Sequence, residues 1–173
     1  MSASSVPTVQ LRHTLPDGSS HIDWLIAQDA AGERPLITFR LARPLHRPPT
    51  TDESPGVAAV ESAGEDEPGQ GGEWGWSQRW ALEAERLPDH RPKYLAYEGP
   101  ISNDRGHVVR IAAGRLHDLD RLLAGHAVPI HWNAFTDPGL GEPERPCSVL
   151  VCVFPLRPDC WRLEVTRHAP HHA

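Results

Sequence analysis

Apolar residues recur at every second position in several short segments of this chain, and turn-forming residues separate those segments. Successive side chains of a strand leave opposite faces, so a period of two describes strands with a buried face. Val9 to His13 reads as a first strand. Pro16-Asp17-Gly18 follows as a turn, because proline presets its own φ and glycine accepts a positive one. His21 to Ala27 then alternates, with Ile22, Trp24 and Ile26 on one face and His21, Asp23 and Leu25 on the other. These two runs make a predicted hairpin. Leu36 to Leu41, His107 to Ala112, Ser148 to Phe154 and Trp161 to Arg167 read as further strands, the last two joined by a turn across Pro155 to Asp159. The good helical pattern is Leu116, Leu119, Leu122 and Leu123, stopped by Gly125. Such a chain predicts a mainly β fold: a small antiparallel β-barrel or sandwich with one or two short helices.

At 173 residues the chain has room for one domain with one core, here 1–173. Residues 43–73 interrupt it with a Pro-, Gly-, Glu- and Ser-rich stretch that can bury little apolar surface, so a disordered or loosely held insertion is expected there. Net charge is −6, but residues 51–73 carry seven acids and no Lys or Arg. The remainder is close to neutral, so overall charge does not exclude a nucleic-acid partner. No apolar run reaches membrane-spanning length, and the first residues have neither a basic start nor an apolar signal core. A soluble cytoplasmic protein with no membrane partner is the expectation. Cys147, Cys152 and Cys160 have no metal-knuckle spacing and read as reduced, mostly buried thiols.

Two groups of residues carry chemistry. His21 and Asp23 leave the same face of one predicted strand, and His13 on the preceding strand can lie across from them. Two imidazoles and one carboxylate form a partial metal shell with open positions, the arrangement of a catalytic site, and nitrogen and oxygen donors without thiolate suit Mn²⁺, Zn²⁺ or Fe²⁺. The alternative is a hairpin whose polar face meets water. The second group lies in Asp89 to Gly99, which gathers His90, Arg91, Lys93, Tyr94 and Glu98, with Arg105 and Arg110 following. A phosphate ester needs cations and hydrogen-bond donors around its oxygens. His90 can protonate a leaving oxygen or bind phosphate, and Tyr94 can add a hydroxyl donor. The alternative is a solvated loop with Tyr94 and Tyr97 packed inward.

Taken together, His13, His21-Ile22-Asp23, Asp89-His90, Tyr94, Glu98-Gly99 and the continuation through Asn103-Asp104-Arg105-Gly106 to Gly114 resemble the 3′-phosphoesterase domain family of bacterial DNA ligase D. They are most similar to its stand-alone branch. The resemblance covers about residues 8–41 and 80–114, with a looser continuation to about 167. It implies a small β-barrel and a divalent metal, typically manganese with zinc as the other choice, on His13, His21 and Asp23. It implies catalytic roles at the phosphate for His90 and Tyr94, with Arg91, Arg105 and Arg110 as phosphate-binding cations. The activity implied is trimming of nucleic-acid 3′ ends, in DNA or DNA/RNA, by removing a terminal ribonucleoside or phosphate. A repair role would then depend on separate end-joining proteins.

Two departures stand out. Seven residues, Thr14 to Ser20, separate the first two histidines where the family has five, and the extra pair falls in the predicted turn. Leu25 occupies the position of a family arginine that helps hold phosphate. A catalytically degenerate member that binds phosphate or nucleic-acid ends is the alternative function, and a purely structural β-domain is a third reading. The remaining histidines His46, His107, His117, His126 and His131 read as surface or loop residues, and His168, His171 and His172 as a terminal tail. Trp24, Trp132 and Trp161 read as core, and Trp74, Trp76 and Trp80 as anchors for the end of the insertion.

Overall fold

The computed structural model describes residues 4–49, 77–135 and 146–168. Among them are the strands β1 (Ser5–Thr14), β2 (Ser20–Ile26), β3 (Leu36–Leu41), β4 (Ser77–His90), β5 (Gly99–Pro100), β6 (His107–His117), β7 (Val128–Phe135), β8 (Cys147–Arg157) and β9 (Cys160–His168). A 3-10 turn at Pro92–Leu95 and the single-turn helix α1 (Leu119–Leu123) complete the described elements. The antiparallel order β1-β2-β3-β4-β9-β8-β7-β6 closes through a β1–β6 ladder, giving an eight-stranded barrel, and β5 extends β6 at one end. Closure removes the unpaired edges that an open sheet would expose.

The strands expected from alternation are present, and the turn at Gly18 has the positive φ of 86° that its sequence anticipates. Leu15 and Ser19 close that turn with a 2.8 Å backbone hydrogen bond, and Asp17 accepts from the Ser19 backbone and hydroxyl. Leu116 belongs to β6, so the expected helix is confined to the five residues of α1.

One face of each strand lines the barrel interior. Trp24 stacks on Phe39 at 5.5 Å, and both are fully buried. Trp80, Leu82, Val151, Val153, Leu163 and Val165 continue the same core on the opposite wall. Trp80, on the strand that follows the insertion, is buried in the core, while Trp74 and Trp76 lie outside the described residues. Trp161 packs partly buried against the core, edge-on to Phe39.

The start of the segment read as an insertion is held in place. Gln10, buried, accepts from the Leu45 backbone N–H at 2.7 Å and its amide nitrogen lies 2.9 Å from His46 Nδ1. Leu45 and His46 are both buried, so of the surface-or-loop reading of His46 the loop holds and the surface does not. The sequence signal of loose composition misses these residues because one buried amide partner outweighs the prolines around them. The rest of that stretch, from residue 50 on, lies outside the described residues. His117 and His131 do lie on the outside of the barrel, their rings 5.0 Å apart, with His131 Nδ1 hydrogen-bonded to Ser148 Oγ.

Removing a fully buried aromatic from this interior leaves a cavity that neighbouring strands cannot fill. Phe39→Ala is expected to cost about 3–5 kcal/mol of unfolding free energy, measured by urea denaturation.

Candidate metal centre

The β1–β2 register pairs His13 with His21 and Leu11 with Asp23. On β2, Ile22, Trp24 and Ile26 face the barrel interior, so His21 and Asp23 point outward on the other face. That outer face is itself covered. Leu11 and Leu25 share it and are buried, while Tyr94, Leu95, Tyr97 and Ile101 pack onto the core from the segment after β4. The metal-ligand candidates therefore sit at the margin between the barrel wall and this second layer.

His13, His21 and Asp23 each present a ligand atom, and these atoms lie within 4.8 Å of one another; they are the one such group among the described residues. His13 Nδ1 is 3.6 Å from Asp23 Oδ2, and His21 Nε2 is 3.3 Å from Asp23 Oδ1. The two imidazole rings meet edge-on at 4.8 Å. His13 Nε2 lies 2.7 Å from the Arg105 carbonyl oxygen. A carbonyl only accepts, so Nε2 carries a proton, and the tautomer this leaves for a metal ligand has its Nδ1 lone pair on the side of Asp23. Metal-binding histidines are commonly oriented in this way by a carbonyl on the far nitrogen.

The fit to a cation rests on unsatisfied atoms. His21 Nε2 and Asp23 Oδ1 are both buried with no hydrogen-bond partner, although they face each other. Buried polar atoms without partners are costly, and two facing lone pairs repel. A divalent cation between them removes both penalties. Burial lowers the His21 pKa from its ordinary 6.5, with Arg40 and His13 adding to the depression and Asp23 opposing it. The imidazole is thus kept neutral and available as a ligand near pH 7.

The loop carrying Arg105 is shaped for this contact. Asn103 and Asp104 take positive φ values of 64° and 51°, and Gly106 follows at 91°. A Cβ on Gly106 would lie 1.9 Å from the Thr14 carbonyl oxygen, so only glycine lets the loop approach β1 this closely. The Asn103 to Gly106 stretch that carries part of the sequence resemblance thus delivers a backbone carbonyl to His13.

The second group is assembled elsewhere. The His90 and Tyr94 rings lie 5.8 Å apart, with Lys93 Nζ over Tyr94 at 5.2 Å and over Tyr97 at 5.1 Å. His90 pairs with Leu36, whereas Arg40, four residues along β3, pairs with Asp23. At about 3.3 Å per residue this is about 13 Å along the strand. Among the described residues no hydrogen bond, ion pair or ring contact joins His90 or Tyr94 to the three ligands. Arg91 is exposed beside them at the start of the 3-10 turn. The Arg105 side chain donates back to the Ser102 carbonyl, and Arg110 is occupied with the Leu95 carbonyl through its guanidinium and with Glu98 through its backbone. Leu25 is wholly buried.

Arg40 is a residue that the sequence reading does not single out. It lies on the rung beside Asp23 and lines a cavity together with His21. Only strand register brings it there, and no local motif marks it.

Compared with protein-family models, with curated proteins and with solved structures, the chain matches none.

Gly106→Ala is expected to push the Arg105 carbonyl off His13 and weaken Mn²⁺ binding about 10–100-fold, read by calorimetric titration. A pH effect follows from His21. Its folded pKa lies below its unfolded one, so the unfolded state takes up the proton first, and the metal-free protein loses stability as pH falls below 6.5 and through the folded value. Urea unfolding at pH 7.5 and at pH 5.5 should show a smaller loss in His21→Gln than in the parent protein.

Proposed function

We propose that this protein is a metal-dependent phosphoesterase acting on 3′ ends of nucleic acid, with His13, His21 and Asp23 holding the metal. The observation that carries the reading is the convergence of those side chains with two buried atoms left unsatisfied, next to an open cavity. A divalent cation there supplies Lewis acidity toward a phosphate oxygen. The chain's own part is to keep the ligands fixed. The Arg105 carbonyl sets the His13 tautomer, and burial keeps His21 unprotonated. Removal of a terminal ribonucleoside or phosphate is the activity that the sequence resemblance adds to this geometry, with manganese as the metal it favours. His90 and Tyr94 are, on this reading, the groups that engage the scissile phosphate.

A second reading has specific support. Leu25 is buried where the family has a phosphate-binding arginine, and the His90 position stands about 13 Å along the sheet from that of Asp23 at the strand rise of about 3.3 Å per residue. These features favour a metal-bearing module that binds phosphate or nucleic-acid ends without turning them over.

Metal analysis of tag-free protein combined with a turnover assay separates the two. Asp23→Ala should lose the bound metal, while His90→Ala should keep it and lose at least about 100-fold in rate on 3′-phosphorylated or 3′-ribonucleotide-ended DNA, as expected for a lost proton-transfer or phosphate-binding group. Metal-loaded protein that turns over neither substrate would reject the phosphoesterase and leave the binding module.

A further inference from the structure

We propose that the cavity beside His21 is the seat of the substrate's phosphate, that Arg40 and Arg157 are the cations that grip it, and that the seat works only with the metal in place. This inference rests on the metal-site part of that reading and departs from it in seating the phosphate at Arg40 and Arg157 instead of at His90 and Tyr94. The cavity has a volume of about 500 Å³ and runs from His21 and Arg40 to the β8–β9 turn, where Arg157 and Asp159 line it.

Arg40 is the ladder partner of Asp23 on β2 and of Glu85 on β4. Its Nη1 donates to Glu85 Oε2 at 3.0 Å, which anchors one side of the guanidinium. Its Nε is buried with no hydrogen-bond partner. Arg157 is exposed at the end of β8, beside the facing turn, and its side chain makes no hydrogen bond or ion pair among the described residues. The turn itself is fixed, because the Arg86 backbone N–H donates to the Asp159 carbonyl at 2.8 Å. Two guanidinium groups on fixed strands, one with an unsatisfied donor and one without a counter-ion, match the several acceptor oxygens of a phosphate. Leu25 stands wholly buried where the resemblance would place an arginine, and Arg40 supplies a guanidinium on the neighbouring strand, paired with Asp23.

Charge makes the seat conditional. Glu83, Glu85 and Asp159 outnumber the two arginines around the cavity, and Asp23 adds a further negative charge behind His21. An anion entering the metal-free cavity meets a net negative surrounding. A divalent cation on the three ligands cancels that excess, so metal and phosphate bind as coupled ligands, each tightening the other by the same factor.

The test is a titration of Mn²⁺ into the full tag-free chain, with free Mn²⁺ followed by electron paramagnetic resonance. It is run with and without inorganic phosphate at constant ionic strength. Phosphate is expected to tighten Mn²⁺ binding by about tenfold, within the usual range of coupling between sites. Arg40→Gln and Arg157→Gln should bind Mn²⁺ alone at least as tightly as the parent, because a nearby positive charge is gone, and should lose the phosphate effect. Arg40→Lys should recover part of it, and Arg91→Gln should retain all of it. A parent protein whose Mn²⁺ affinity ignores phosphate overturns the inference while leaving the metal site standing. So does full coupling in both the Arg40→Gln and Arg157→Gln proteins. A parent protein that binds no Mn²⁺ removes the metal-site reading and this inference with it.

Discussion

Strand β1 is hydrogen-bonded along both edges, to β2 and to β6, and the barrel exists because of that double pairing. The same strand serves two layers. Its inward residues Thr8 and Gln10 join the core, where the Thr8 hydroxyl accepts from Trp24 Nε1 at 2.9 Å and donates to the Leu25 carbonyl. Its outward residues Leu11 and His13 face the covering segment. A one-residue slip of β1 against β2 would turn every side chain to the other face, burying the histidine ligand and expelling the core. Core packing therefore enforces the register that makes His13 and His21 neighbours. Close backbone approaches support this closure on β6. A Cβ at Gly114 would lie 2.2 Å from the His131 carbonyl oxygen, so glycine there lets β6 and β7 meet at their bulge.

The candidate metal centre inherits rigidity from this frame. All three ligands come from paired strands, and the His13 ring is held on its far side by a backbone carbonyl. Sites built on strands are more closely positioned than sites built on free loops. His21 Nε2 and Asp23 Oδ1, 3.3 Å apart, have no hydrogen-bond partner, and a divalent cation between them would satisfy both. On the other side of Asp23, Arg40 and Glu85 continue a row of alternating charge across β3 and β4. That row leads from the ligands into the cavity at the β8–β9 turn, so the charge pattern and the open space point the same way.

Much of the barrel is legible in the sequence, for a physical reason. Where a strand buries one face, alternation shows, as in β8, whose buried Val149, Val151 and Val153 alternate with less buried neighbours; β3 is buried on both faces from Leu36 to Phe39 and is legible from its strand-forming residues instead. The β4 strand is hidden because Ala81 to Arg86 are mostly helix formers, and pairing to β3 and β9 overrides that propensity. In β7 the alternation of Val128, Ile130 and Trp132 is interrupted by Pro129, which usually argues against an inner strand. The meeting of His13, His21 and Asp23 is legible because spacing on a hairpin is local information. The relation of His90 to them is not, because it depends on how β3 and β4 are staggered, and that stagger includes a bulge between Leu36 and Thr38. Arg40 escapes notice for the same reason.

The central claim is that His13, His21 and Asp23 hold one divalent cation on the outer face of the β1–β2 hairpin. Anomalous X-ray diffraction at the manganese edge, from crystals of tag-free protein grown with Mn²⁺, tests it most directly. The account predicts one strong anomalous peak bounded by His13 Nδ1, His21 Nε2 and an Asp23 carboxylate oxygen. Crystals with no peak at that position, or with manganese only on histidines elsewhere in the chain, would contradict it.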